Sequence, residues 1–166
     1  MNLNFILFVL IPCILMLITC IAFPIYRNNL MKTAGSKLVP LTKKSARLSY
    51  IASATAVVLL LLSVKIDFGR LNFIIPYCAV LGFIVTTKES TFLPVNGAYE
   101  NLLIVGSIIV KYKDVVDFKS EGTSENPSNI ITVTQTNRRP QQLIFNNTNE
   151  ATEVLSVVKK KSLINI

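Results

Sequence analysis

The chain of 166 residues has no histidine and no tryptophan, only six glycines, and nine acidic residues against seventeen basic ones. Each shortage removes a class of chemistry. Histidine is the usual proton carrier near neutral pH and the commonest metal ligand, so its absence argues against zinc and haem sites. The three cysteines, Cys13, Cys20 and Cys78, stand singly in apolar surroundings with no metal-like spacing. Cys13 and Cys20 are two helical turns apart, about 10 Å of rise, too far for a disulfide within one helix. The glycines form no phosphate-cradling loop, and no serine sits in a nucleophile elbow. Neither catalysis nor a metal or cofactor is expected from such a set.

Charge is also missing over long stretches. Residues 1–26, 48–64 and 71–87 carry none, and the chain as a whole is 51% hydrophobic and only 16% charged, below the roughly 25% charge of soluble domains. Uncharged runs of this length signal membrane spans, because a helix satisfies its own backbone in lipid. Three transmembrane helices are therefore predicted, over about residues 3–26, 48–64 and 71–87. The second and third reach only about 25 Å against a hydrocarbon core of about 30 Å, and flanking Lys65, Arg70 and Lys88 can snorkel to cover the difference. A cleaved signal peptide would begin with positive charge, which Met1-Asn2-Leu3-Asn4 lacks. Thr19, before Cys20, departs from the small residue of a lipoprotein box. In the second run Ser49 with Ser53, and Ala52 with Ala56, repeat small residues four apart, which lets helices approach closely, either within the bundle or against a partner. No ionisable acid or base lies in the spans, which disfavours transport by this chain alone.

The connection 27–47 holds Arg27, Lys32, Lys37, Lys43, Lys44 and Arg47 and no acid. Short basic loops stay cytoplasmic, so the N-terminus is expected outside and everything after residue 88 inside: a multi-pass protein of the cell membrane with a cytoplasmic C-terminal domain. Nine basic and eight acidic residues stand from Lys88 onward, which leaves eight of the seventeen bases and one of the nine acids in the membrane portion. The formal charge of +8 thus belongs to topology and not to nucleic acid. The basic loop either grips anionic lipid headgroups, at about 1 kcal/mol per residue, or serves orientation alone.

From residue 88 the texture changes to short β-prone runs. Predicted strands cover residues 91–95, 98–105, 108–112, 114–119, 130–136 and 142–146. Turns fall at Asn96-Gly97, Gly106-Ser107 and Asn137-Arg138-Arg139-Pro140, and a polar loop covers 120–129. Val116 and Phe118 should share one face of their strand, and Ile131, Val133 and Gln135 one face of theirs. Asn147 then caps a helix with Glu150 as its capping-box partner. Ala151, Val154, Leu155 and Val158 form its apolar stripe, and Lys159, Lys160 and Lys161 suit its C-terminal dipole.

Tyr99-Glu100-Asn101 opening a strand, a turn at Gly106, the step Tyr112-Lys113-Asp114-Val115, a strand pair with a polar turn and a terminal helix form a specific order. It resembles the pleckstrin-homology fold, and in particular small bacterial membrane proteins with a cytosolic pleckstrin-homology-like domain of uncharacterised function. The likeness covers about residues 91–163 and departs at Leu102 and Tyr112, where such domains often carry Gly and Trp. It implies a three-helix transmembrane anchor over residues 1–88 and a small α+β domain over 89–166, built of antiparallel strands with a C-terminal helix. No functional residue transfers with it. The expected function is a non-catalytic, membrane-anchored interaction module that binds a protein partner or anionic lipid headgroups, with Lys43, Lys44, Arg47, Arg138 and Arg139 as contacts. Its partners would be the membrane, and another membrane protein or a second copy met through the second span, but not nucleic acid. The alternative is an immunity protein against a membrane-active bacterial toxin, or an accessory subunit of a membrane transporter.

Overall fold

A computed structural model describes residues 6–42, 45–65, 74–122 and 128–162. The unbroken apolar runs become long helices, since a helix alone closes its backbone hydrogen bonds without neighbours. The first opens with a π-helical turn, Ile6–Leu10, and continues as α1, Ile11–Ala34. Helix α2 is Arg47–Lys65 and α3 is Ile74–Phe92. Ile6–Ala34 and Ile74–Val95 are long and apolar enough to cross a membrane, and only 11% and 28% of their apolar windows are buried. Two of the three expected spans thus have the required length and composition. The apolar stretch of the middle helix, Arg47–Ser63, is shorter, and most of the expected outer turn at 65–70 lies outside the described residues.

The chain forms two compact units, a helical one of Met1–Asn29 with Ser45–Pro94 and a sheet unit of Leu30–Lys44 with Val95–Ile166. In the helical unit α2 and α3 pack along a seam of small residues. Ser49 Oγ donates to Glu89 Oε2 at 2.9 Å, and the hydroxyls of Ser53 and Thr86 lie 2.7 Å apart. One and two turns on, Ala56 and Leu60 bury against Ala79, Val80 and Phe83, joined by Met16 of α1. Three of the four small residues singled out in the sequence therefore serve packing inside the unit.

The sheet unit has two antiparallel sheets. Strands β1 (Lys37–Pro40), β2 (Gly97–Tyr99), β3 (Leu102–Val105) and β4 (Ile108–Lys111) form the first, in that order. Strands β5 (Val115–Ser120), β6 (Ile130–Gln135) and β7 (Gln141–Ile144) form the second. Helix α4, Thr148–Ser162, closes the chain. One core joins all three pieces: Val39, Leu103 and Val110 from the first sheet, Ile131, Val133 and Leu143 from the second, and Ala151, Val154 and Val158 from α4. The architecture is mixed α+β, as expected at that level.

Several local expectations are corrected. The basic connection 27–47 is not a loop, because α1 runs on to Ala34 and β1 follows, its Pro40 tolerated because β1 is an edge strand. Residues 91–95 do not form a strand. Helix α3 continues to Phe92, with Thr91 Oγ1 donating to Thr87 O at 2.7 Å, and a 3₁₀ turn, Leu93–Val95, ends it. Asn96-Gly97 is not the hairpin turn: Gly97 opens β2, while Asn96 Oδ1 accepts the Gly106 N–H at 3.0 Å and braces the β3–β4 turn. The long strand expected over 98–105 breaks at Glu100-Asn101 to make the β2–β3 hairpin.

Val116 does not share the core face with Phe118. Val115 pairs with Gln135 and Asp117 with Thr134, so Val116 is the extra residue of a bulge and is 68% exposed. Only half the capping box forms. Asn147 Oδ1 accepts the Glu150 N–H at 2.8 Å, but the Glu150 carboxylate takes the Thr42 N–H at 2.8 Å and the Thr42 hydroxyl instead of reaching back.

Candidate functional site

The residues expected to make contacts are dispersed. Arg138 and Arg139 are exposed in the β6–β7 turn, where Asn137 takes φ 60° and the Arg138 N–H reaches Gln135 O at 3.1 Å. Arg47 is exposed at the start of α2, in the helical unit. Lys43 and Lys44 lie outside the described residues.

A built site lies elsewhere in the sheet unit, where the last turn of α1 meets the β2–β3 hairpin. Gly35 takes φ 79° and ends the helix. The chain then doubles against Glu100 and Asn101. The Asn101 N–H donates to Ala34 O at 3.1 Å and Asn101 Nδ2 to Thr33 O at 3.0 Å, while the Thr33 hydroxyl donates to Leu30 O at 2.9 Å. These bonds satisfy carbonyls that a helix end leaves open. The Glu100 N–H donates to Ser36 O at 3.1 Å, and Ser36 Oγ donates back to the Glu100 carboxylate. That hydroxyl bond, then the Ser36 backbone N–H, with a smaller contribution from the charge of Lys161, holds the Glu100 carboxyl below its usual value.

Beside this junction is a cleft of ≈ 290 Å³ lined by Thr33, Asn101, Leu102, Lys111 and Lys113. Lys111 ends β4, and Tyr112 opens a 3₁₀ turn, Tyr112–Asp114, whose backbone N–H reaches Asn101 O at 3.2 Å. Tyr112 is only 5% exposed and belongs to the core, whereas the lysines on either side of it are exposed. Burial raises the phenol's pKa, and its hydroxyl has no partner among the described residues. Neither the Lys111 nor the Lys113 side chain makes an ion pair or hydrogen bond among the described residues, while Lys119 is paired with Asp117 at 2.9 Å. The sequence reading passed over this cleft. Its one legible signal was the Lys-Tyr-Lys alternation, which reads as an ordinary strand end until the end of α1 is brought beside it.

The helical unit carries a second concavity, an apolar groove of ≈ 790 Å³ between α2 and α3 whose lining includes Ala52, Ala56, Cys78, Ala79 and Gly82. A methyl group added at Gly82 would meet nothing within 4 Å. Among the described residues no three His, Cys, Asp or Glu side chains gather as a metal site would require. Chemically, the cleft gathers two lysines and an asparagine amide, groups of a kind that suit an anion, while the Thr33 hydroxyl in its lining is already donated to Leu30 O. No known family, curated protein or solved structure matches the chain.

Proposed function

We propose that the chain is a multi-pass protein of the cell membrane whose three helices carry a cytoplasmic, pleckstrin-homology-like sheet unit, and that this unit works without catalysis, binding a protein partner or lipid headgroups at the inner face. The threading of the chain carries this reading. The polypeptide passes between helical and sheet units three times, after Asn29, Lys44 and Pro94. A tail domain on one linker can be cut from its anchor without losing a strand, whereas here a cut after Pro94 takes β1 away from the sheet. Sheets of four and three antiparallel strands closed by one C-terminal helix support the fold assignment. The basic residues of 27–47 support the cytoplasmic side. Tethering at the membrane raises effective concentration, so a weak contact suffices.

Site-directed labelling tests the orientation. With Cys13, Cys20 and Cys78 replaced by alanine and a cysteine introduced at exposed Thr152 of α4, an impermeant maleimide should react only after the cells are opened. Labelling of unbroken cells would place the sheet unit outside and remove the reading. The groove between α2 and α3 favours a second reading, in which the helices carry the specificity, as an immunity protein or a transporter subunit would use them. Capture of the same partner by residues 1–94 as by the full chain would select it.

A further inference from the structure

We propose that the free edge of β7 is a self-association surface, at which two copies of this chain pair antiparallel about a two-fold axis through Leu143. Which backbone groups face that edge follows from the register. The Phe145 N–H donates to Asn129 O at 2.9 Å, and Leu143 lies opposite Ile131. Bonded pairs recur at every second residue of an antiparallel ladder. Gln141, Leu143 and Phe145 therefore spend their backbone groups on β6, and those of Gln142 and Ile144 point away from it. These outward N–H and C=O groups have no backbone partner among the described residues. Both side chains are exposed, Ile144 by 54%. Gln142 Nε2 donates to Glu121 Oε1 at 2.8 Å, which draws that side chain back across β6 and leaves the edge open.

Edge strands ordinarily carry a charge, a proline or a bulge that prevents such pairing. Of the strands that end the two sheets, β1 has Lys37, Pro40 and a register shift between Lys37 and Val39. Strand β4 ends in exposed Lys111, and β5 carries the bulge at Val116 and the Asp117–Lys119 ion pair. Strand β7, Gln141-Gln142-Leu143-Ile144, has none of these. It is also its own complement. With Leu143 of one copy opposite Leu143 of the other, Gln142 faces Ile144, and the N–H and C=O of each meet the C=O and N–H of the other, twice over by symmetry. No charge meets a like charge, and Gln142 of the second copy covers the exposed Ile144. The occupant is a second copy because this register satisfies both outward residues of both chains at once, and because helices that share a membrane already bring copies together. The ladder is short, since Pro140 has no N–H to extend it and Asn147 turns the chain into α4. It joins copies held in one membrane and leaves sheet units free in solution as monomers. For that confinement, and for nothing else, the pairing rests on the proposed membrane reading.

The experiment uses the full chain in isolated membranes, with Cys13, Cys20 and Cys78 replaced by alanine and two differently tagged variants, Gln142→Cys and Ile144→Cys, produced together. In the bonded pair the Cα atoms stand about 5.5 Å apart, within reach of a disulfide. Like residues lie on the diagonal at roughly 7–8 Å, outside that reach. Mild oxidation with copper phenanthroline should therefore join Gln142→Cys to Ile144→Cys, and should leave either variant produced alone, or Val116→Cys on β5, unjoined. Energy transfer between fluorescent tags at the C-terminus should report the same association and be lost in Gln142→Lys/Ile144→Lys, which sets lysine directly opposite lysine. Because both side chains are exposed and a lysine can still donate to Glu121, this variant should melt in dilute detergent as the parent does, which separates lost pairing from lost folding. Energy transfer that survives the lysine pair but disappears in Gly82→Leu, which fills the groove between α2 and α3, would place the contact on the helices and overturn the β7 assignment. Cross-linking of Ile144→Cys to a different polypeptide in place of Gln142→Cys would give the edge to another protein and overturn it equally. If the chain is recovered with the membranes and the two variants do not join, only this inference falls, whereas recovery in the soluble fraction removes the reading beneath it.

Discussion

Gly35 shows how much one residue decides. Its φ of 79° is in the left-handed region, and a Cβ there would run into the Glu100 carboxylate and stand 2.8 Å from Glu100 Cβ. A side chain at such a position costs about 1–3 kcal/mol in backbone strain, and the displaced Glu100 would lose its bonds to Ser36 as well. Gly35→Ala should therefore lower the unfolding free energy of the full chain by at least that range, read by denaturant titration in detergent. Glu100 makes the same junction sensitive to acid. Its carboxyl titrates below the ordinary 4.5, by the Ser36 hydroxyl first and the Ser36 N–H second. A depressed carboxyl stabilises the fold above its unfolded value and loses that contribution as pH falls through the folded value. Melting temperature should thus drop on acidification below pH 4.5, and Glu100→Gln, which can still accept from Ser36, should flatten the profile there. An unchanged pH profile in the variant would show that the carboxylate charge does no work at this junction.

At the scale of elements, alternation was legible wherever a strand stayed regular. Ile131, Val133 and Gln135 face the core as their spacing implied, and Ala151, Val154 and Val158 form the buried stripe of α4. Most of the misreadings share one physical cause, which is a short local signal overruled by structure outside the few residues that carry it. Thr91 and Phe92 have strand propensity, yet they extend a helix already running through Thr87. Asn96-Gly97 has hairpin chemistry, yet its asparagine is used by Gly106, ten residues on. Glu150 has the spacing of a capping box, yet Thr42 claims its carboxylate from more than a hundred residues away. The bulge at Val116 is the sharpest case, since nothing in Val115-Val116-Asp117 announces an extra residue. It also yields a clean contrast. Val116→Thr should change stability by no more than about 0.5 kcal/mol, as an exposed substitution does. Leu143→Ala, at a side chain 0% exposed in the core, should cost about 2–5 kcal/mol. Comparable losses at both positions, measured under the same conditions, would mean that Val116 is inside and the bulge is absent.

At the scale of the whole molecule, β1 separates what the sequence could show from what it could not. Four residues, Lys37–Pro40, sit in a basic stretch between two apolar runs and look like loop, because their strand partners lie more than fifty residues away. Yet Val39 and Leu41 belong to the core, and β1 pairs with β2 through Lys37 with Tyr99, Val39 with Ala98 and Pro40 with Gly97. The antiparallel register has a consequence for the order of construction. With Pro40 opposite Gly97, the chain ends at Thr42 and Val95 belong to neighbouring positions of one hairpin, so α2 and α3 are an insertion in the β1–β2 connection. A sheet unit taken as residues 95–166 alone lacks an edge strand and two core side chains, and exposes the edge of β2 to other chains. Residues 35–42 joined by a short Gly-Asn turn to 95–162 restore both without any apolar helix. We expect the joined polypeptide to be monomeric and to unfold in a single cooperative transition, and residues 95–162 alone to aggregate or to show no transition. Cooperative unfolding of the shorter polypeptide, with melting equal to the joined one, would make β1 dispensable, and with it the argument that sheet and anchor are threaded together as one structure.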